Sequence, residues 1–320
     1  MRHLLLALAG IALACGAASA ADTYPARPIT VVVPYEPGGT ADVLFRVIAP
    51  AMEKQLGQSI VVVNRGGASG LIGTESVARA EPDGYTLVVA TAGLPIAVAY
   101  NKNVRFDLAK DLEPIASYAN TPYFLFTGTK LPVKTVQDFV ALAKKQPGKL
   151  SYGSSGAGQS GHLAGAKFAL ATGTDLLHVP YKGTGPAMTD LASGHIDSIF
   201  VGLPIAMPHL ETGRIKVLAV ASPERVGLRP DVPTIAESGV PGFEARAWYG
   251  LLAPRGTPAP VKQKLALAVE AAMKDAEIAK RFSGLGAVPF VQGEAQFAAF
   301  FKEDVSSVRD FIRNFPGGLK

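Results

Sequence analysis

Along the chain, short runs rich in β-branched residues alternate with longer stretches whose apolar positions recur at helical spacing. Ile29 to Pro34 reads as a strand, Thr40 to Gln55 as a helix, Ser59 to Asn64 as a strand, Leu71 to Ala80 as a helix and Tyr85 to Ala90 as a strand. Near-continuous runs such as Ile60-Val61-Val62-Val63 fit strands buried on both faces, as in parallel sheets covered by helices. The first third is therefore α/β. The pattern then restarts with strands at Tyr123 to Phe126, Leu150 to Gly153, Leu176 to Pro180, Ser198 to Val201 and Val217 to Ala221. Helices at Thr135 to Lys145, Gly161 to Thr172 and Gly185 to Ser193 separate them.

Beyond Ala221 the sequence is proline-rich as far as Pro260, and it closes with helical patterns at Pro260 to Asp275 and Glu294 to Asn314. This tail is too poor in strands to form a third domain, so it is expected to return and complete the first lobe. The division that follows is a leader over 1–20, a first lobe made of 21–121 plus 222–320, and a second lobe of 122–221. Two crossings join the lobes, and a cleft between such lobes is a favoured ligand site.

The first twenty residues carry their own signal: Arg2, an apolar run from Leu4 to Ala14, then Ala18-Ser19-Ala20. That is the layout of a secretory signal peptide, with an apolar core too short to span a bilayer. Cleavage after Ala20 takes 20 residues from the 320-residue chain, leaving 300, and removes the single cysteine, Cys15. Ala12-Leu13-Ala14-Cys15 loosely resembles a lipoprotein site, but its leucine stands one place late, so the periplasmic form is expected rather than a lipid-anchored one. No later segment reaches the roughly 18 uncharged apolar residues of a membrane span. The formal net charge of +5 is spread over interspersed residues, which excludes a nucleic-acid surface and leaves a mild long-range preference for small anions.

Candidate chemistry sits in three glycine-rich turns between a strand and a helix. These are Pro34-Tyr35-Glu36-Pro37-Gly38-Gly39-Thr40-Ala41-Asp42, Asn64-Arg65-Gly66-Gly67-Ala68-Ser69-Gly70, and Gly153-Ser154-Ser155-Gly156-Ala157-Gly158-Gln159-Ser160-Gly161-His162. Each places backbone N–H groups and a helix N-terminus at the carboxyl end of a strand, where open α/β sheets bind ligands. The hydroxyls of Thr40, Ser154 and Ser155 add donors. The second turn reads equally well as close strand-to-helix packing. The first and third, one in each lobe, read as a site for a carboxylate. Tyr181 and Lys182 end another strand, as Tyr35 does, and aromatic rings at both rims suit a clamp on an apolar ligand body. Each has an ordinary structural alternative in lobe-surface packing or a solvated charge.

Other chemistries fit less well. Gly156-x-Gly158-x-x-Gly161 matches the dinucleotide fingerprint, but no acidic residue stands at the required spacing, so no cofactor is expected. Gly153-Ser154-Ser155-Gly156-Ala157 misses the nucleophile-elbow pattern by its final glycine. His162, His178, His195 and His209 remain candidate bases by sequence alone. No histidine shows metal-ligand spacing. Trp248 reads as core or hinge packing.

In order and spacing these segments resemble the tripartite tricarboxylate transporter receptor family, also called the Bug family of extracytoplasmic solute receptors. The likeness extends over the mature chain. It is carried by Pro34 to Asp42 with Arg46, Val63 to Ala68, Pro82-Asp83-Gly84-Tyr85-Thr86-Leu87, Ser154 to His162 and His178-Val179-Pro180-Tyr181-Lys182-Gly183. Further along it includes Leu218 to Ser222, Pro230 to Glu237 and Ala253 to Pro258. The resemblance implies a type II periplasmic-binding-protein fold that closes around its ligand, with a carboxylate held by loop amides, hydroxyls and ordered water. Carried over, the ligand contacts are Tyr35, Gly38, Gly39, Thr40, Ala41 and Asp42 in one lobe, and Ser154, Ser155, Gly156 and Gln159 in the other. His162, Tyr181 and Lys182 complete the candidate list. Tyr35 stands where the family commonly has phenylalanine, and Arg65-Gly66 replaces a frequent arginine-proline. The function expected is capture of a small carboxylate (a di- or tricarboxylate, an amino acid or an aromatic acid) by a monomeric periplasmic receptor, for membrane subunits of the tripartite tricarboxylate type. A secreted serine hydrolase and a receptor presenting ligand to a sensor kinase are the alternatives.

Overall fold

The computed structural model describes residues 24–181 and 183–315. The predicted leader and Lys182 lie outside them. The chain builds two α/β halves on the same plan. In the first, β1 (Ile29–Val33) lies between β2 (Ile60–Asn64) and β3 (Thr86–Thr91), parallel to both. In the second, β5 (Ser151–Ser154) lies between β6 (Leu177–Pro180) and β7 (Ser198–Gly202), again parallel. Helices α1 (Thr40–Leu56), α2 (Leu71–Ala78) and α3 (Gly93–Tyr100) follow β1, β2 and β3 respectively. After the short α4 (Leu108–Asp111) comes β4 (Leu112–Gly128), and α5 (Val136–Lys145) precedes β5. Helices α6 (Ser160–Thr172), α7 (Thr184–Ser193) and α8 (Leu203–Glu211) follow β5, β6 and β7, and β8 (Ile215–Val220) ends the second run.

Two strands tie the halves together. β4 pairs over Leu112 to Pro122 with β9 (Arg246–Pro254), and from Tyr123 onward with β7 and β8. β9 in turn pairs antiparallel with β3, and β10 (Val288–Gln292) lies along the middle of β4. Helices α9 (Ala259–Met273), α10 (Ala276–Gly284) and α11 (Glu294–Asn314) complete the first half. This is the periplasmic-binding-protein fold that the sequence led us to expect.

Strand alternation distributes the core. Val31 and Val33 pack with α1 and α9 on one face of the first sheet, while Val32 between them packs with Trp248, Phe297 and Phe301 on the other. In the second half Leu125 faces Phe139 and Phe168, whereas its neighbours Phe124 and Phe126 face Met188 and Leu191. The inner strands are thus covered on both faces, which is why β1 and β3 read as unbroken apolar runs. The run at Ile60 to Val63 was expected to be buried in the same way, but β2 is an edge strand and Val61 is 48 % exposed.

The sequence reading differs from the structure along the connecting strands. β4 is much longer than Tyr123 to Phe126, and β9 and β10 were not anticipated. Pro114 and Pro122 argue against a central strand, yet Pro114 sits where the register with β9 shifts, and Pro122 at the end of that pairing, so neither removes a needed ladder bond. The return to the first half also falls later than 221–222. Residues 222–245 stay with the second half: Ile235, Val240 and Phe243 enter its core, Ile235 donates to the carbonyl of Val220 at 2.8 Å, and Tyr123 donates to that of Ala245 at 3.0 Å. The crossing lies at Ala245-Arg246.

Candidate functional site

A cavity of about 600 Å³ opens between the halves. Its walls begin with the loops that follow β1 and β5, the middle strands of the two parallel sets. Four helices direct their N-termini at it: α1 through Thr40, α3 through Gly93, α6 through Ser160 and α7 through Thr184. The residues preceding them, Gly39, Ala92, Gln159 and Gly183, make no side-chain capping hydrogen bond. The first N–H of α3, at Gly93, donates to the Thr91 hydroxyl at 3.2 Å, whereas first-turn N–H groups of α1, α6 and α7 are left to other acceptors. A partly buried helix end stabilises an anion by roughly 0.5 to 2 kcal/mol. Three such ends, those of α1, α6 and α7, supply a substantial share of the ~8 kcal/mol that micromolar affinity requires. No Lys, Arg or His is among the described lining residues, and Glu36 at the exposed rim carries the one carboxylate there.

The first loop is shaped by Asp42. Its carboxylate accepts from the N–H of Gly38 at 2.9 Å, from Arg46 at 2.8 Å and from Asn64 at 3.0 Å, and Asn64 also donates to the carbonyl of Tyr35 at 3.1 Å. Burial opposes ionisation of Asp42, but these donors outweigh it and hold its pKa below the ordinary carboxylate range. Asp42 is 3 % exposed, with its carboxylate turned to this network rather than to the cleft. Of the first loop's residues expected at the ligand, Asp42 is thus the one that does not line the cavity. Tyr35, Gly38, Gly39, Thr40 and Ala41 do line the cavity. Gly38 has φ +79°, a conformation that favours glycine, whereas Gly39 at φ −70° is extended.

The third turn divides in the same way. Ser155 and Gln159 line the cavity, and the Gln159 amide oxygen reaches to 3.3 Å from the position a Cβ would take at Gly93, across the cleft. Ser154 does not line it. Its hydroxyl donates to the carbonyl of Gly156 at 3.0 Å, accepts from the N–H of Gly156 at 3.2 Å and lies 2.7 Å from Nε2 of His178, and the residue is 1 % exposed. The Ser154–His178 pair is thus turned into the second half, away from where a substrate would sit. Gly156, at φ +142°, shapes the turn. His162 is buried, and its Nδ1 accepts from the N–H of Gly158 at 3.1 Å. The Tyr181 hydroxyl donates to Asp190 at 2.7 Å, and burial followed by that contact pushes its pKa up to about 12. Ser154, Gly156, His162 and Tyr181 therefore support the loop rather than face the cleft. Lys182 lies outside the described residues. The last glycine of the dinucleotide-like pattern, Gly161, has a packing role: a Cβ there would sit 3.1 Å from the carbonyl of Phe200.

Several wall residues were not on the sequence's list. Tyr123 from β4 and Tyr249 from β9 stand beside Tyr35, and Thr91 hydrogen-bonds the Tyr35 hydroxyl at 2.7 Å. Burial raises the pKa of all three phenols, that of Tyr123 to about 12, so they stand in the cavity wall as neutral hydroxyls. Ser69 and Thr184 add two more hydroxyls. Ser69 comes from the second turn, whose glycines otherwise serve close packing: a Cβ on Gly70 would press on the Tyr35 ring at 3.3 Å, and one on Gly67 on the Ile72 side chain at 2.7 Å. A period-2 strand pattern at Ala247-Trp248-Tyr249 was the available signal, whereas the positive φ of 59° at Ser69 is not legible in the sequence. On β9, Ala247 and Tyr249 face the cleft, while Arg246 and Trp248 face a smaller cavity of about 170 Å³ behind it. There the buried Trp248 donates to Asp304 at 3.1 Å, the packing role expected of it.

The model of the tripartite tricarboxylate transporter family receptor matches residues 44–316. The chain belongs to this family. Protein BugT of Bordetella pertussis is 34 % identical over 99 % of this chain and 98 % of its own length. Among solved structures, a Rhodopseudomonas palustris protein with adipate superposes at a TM-score of 0.80 with 34 % identity, covering 91 % of this chain and 97 % of that one. MatC of the same organism, with bound malate, gives 0.78 and 34 %, covering 90 % and 99 %. Tripartite tricarboxylate transporter receptors are periplasmic solute-binding proteins and not enzymes. This agrees with the inward-facing Ser154–His178 pair. No helix among the described residues is long and apolar enough to cross a membrane.

Proposed function

We propose that the protein is a periplasmic receptor that captures a small carboxylate in the interlobe cleft and delivers it to the membrane subunits of a tripartite tricarboxylate transporter. The observation that carries this reading is the convergence of four helix N-termini, those of α1, α6 and α7 without a side-chain cap, on one cavity whose described wall has no cationic side chain. Such a wall holds a carboxylate through backbone donors and hydroxyls. The malate and adipate bound to two relatives point to the same ligand chemistry. Contacts from the first half are assigned to Tyr35 and Gly38 to Ala41, and those from the second to Ser155, Gln159 and Thr184. The ligand bridges loops of both halves and so draws them together. Residues 1–20 act as the export signal, and the mature protein works as a monomer.

A thermal-shift screen against carboxylates, followed by calorimetry, tests the reading. A ligand at a hundredfold excess over its Kd stabilises the native state by about 2.7 kcal/mol. Stabilisation by carboxylates, absent with the matching amides or alcohols, is the expected result. Equal response to the uncharged analogues would refute an anion site.

A further inference from the structure

The cleft does not end at the carboxylate loops. A second chamber of about 350 Å³ shares Gly38, Thr40, Tyr123, Thr184 and Tyr249 with the main cavity and continues away from Ser155 and Gln159. Beyond these shared residues its wall is apolar apart from the Thr121 hydroxyl and Gly202. Val43 and Leu44 of α1 and Leu285 after α10 face Val201 of β7 and Pro204 and Ile205 of α8, so both halves contribute. None of its described lining residues is charged. Ile205 is 40 % exposed, an apolar side chain left open to solvent at the mouth of a ligand site.

We propose that this chamber takes the hydrocarbon body of the ligand, so that the receptor selects carboxylates bearing an aliphatic chain or aromatic ring over short hydrophilic acids. The inference rests on the reading of the main cavity as a carboxylate site. Continuity identifies the occupant: a molecule whose carboxylate lies at the N-termini of α1 and α6 directs its remainder along Thr40, Tyr123 and Tyr249, which line both chambers. Size permits it, since an apolar cavity of about 150 Å³ is enough to hold a benzene ring. Closure of the halves would bring Ile205 and Leu285 over the same occupant and remove it from water, which is where apolar selectivity originates.

Calorimetry with straight-chain monocarboxylates from propionate to octanoate, with benzoate and with malate, tests the proposal. Affinity should rise about fourfold per methylene, the equivalent of ~0.8 kcal/mol each, until the chamber is filled. Benzoate should bind more tightly than malate. Ile205→Asp, at a half-open surface position where folding is not at stake, should flatten the rise along the series. A series flat from propionate onward, malate as the tightest ligand, or an unchanged slope in Ile205→Asp would overturn the apolar chamber while leaving the carboxylate site standing. If no carboxylate in the set binds, the functional reading fails, and the chamber's role fails with it.

Discussion

The imidazole rings of His162 and His178 lie stacked with centroids 3.7 Å apart and planes 9° from parallel, directly behind the loop that carries Ser155 and Gln159. His162 begins in α6, and His178 lies in β6. Tyr152 packs on the His178 ring at 5.0 Å, and Tyr100 meets His162 edge-on at 6.3 Å. The stack joins α6, which follows the binding loop, to β6, the strand paired beside β5, and the loop region is bonded to each ring, through Gly158 on one side and Ser154 on the other.

His162→Phe keeps the ring but removes the acceptor for the buried Gly158 N–H. An orphaned buried donor costs about 1 to 3 kcal/mol. Because that donor belongs to the loop between Ser155 and Gln159, ligand affinity should fall along with the melting temperature. Calorimetry paired with thermal unfolding checks this, and an unchanged Kd beside a lowered Tm would restrict the stack to a core role.

Ser154→Ala should act on stability first. The hydroxyl serves His178 and Gly156 rather than the cleft, so its loss leaves buried partners unsatisfied at a cost of about 1 to 3 kcal/mol. In a chain of this size each kcal/mol lowers Tm by roughly 2 to 4 °C. A variant with native Tm and sharply weakened binding would return Ser154 to the ligand.

Adjacent glycines in the first loop should separate. Gly38 needs its left-handed conformation, and a Cβ there would meet nothing within 4 Å, so Gly38→Ala carries a backbone cost of about 1 to 2 kcal/mol and should reshape the loop. Gly39 is extended, with a Cβ falling 3.4 Å from the carbonyl of Glu36. Gly39→Val should therefore leave stability close to native and weaken binding by occupying ligand space. Denaturant titration and calorimetry on both variants check the contrast.

Asp42 gives a pH dependence of defined sign. A carboxyl whose native pKa lies below its unfolded value of about 3.9 contributes stability above that value, and the contribution disappears as pH falls through the native pKa. Asp42→Asn should be less stable than the native protein at neutral pH and converge with it in strong acid. Urea unfolding followed from pH 7 to below about 3 measures this, and parallel curves would show that the Gly38 and Arg46 bonds add nothing.

The α/β class, the parallel strands and most helices were legible because each is set by local periodicity, as at Val31 to Val33 and along α1. The glycine turns were legible for the same reason: strand, glycine and helix N-terminus are neighbours in the chain. Which atoms of a turn face the ligand was not. Ser154 and Ser155 are adjacent and alike in sequence, and only the packing of β5 against His178 sends one inward and leaves the other at the cleft. Nor was the wall formed by Tyr123 and Tyr249, since nothing local says that two strands more than a hundred residues apart pair as Ala119 with Tyr249. Local chain physics determined the elements and the backbone donors. Long-range pairing, which buries polar groups only where partners from distant segments meet them, decided which residues form the site.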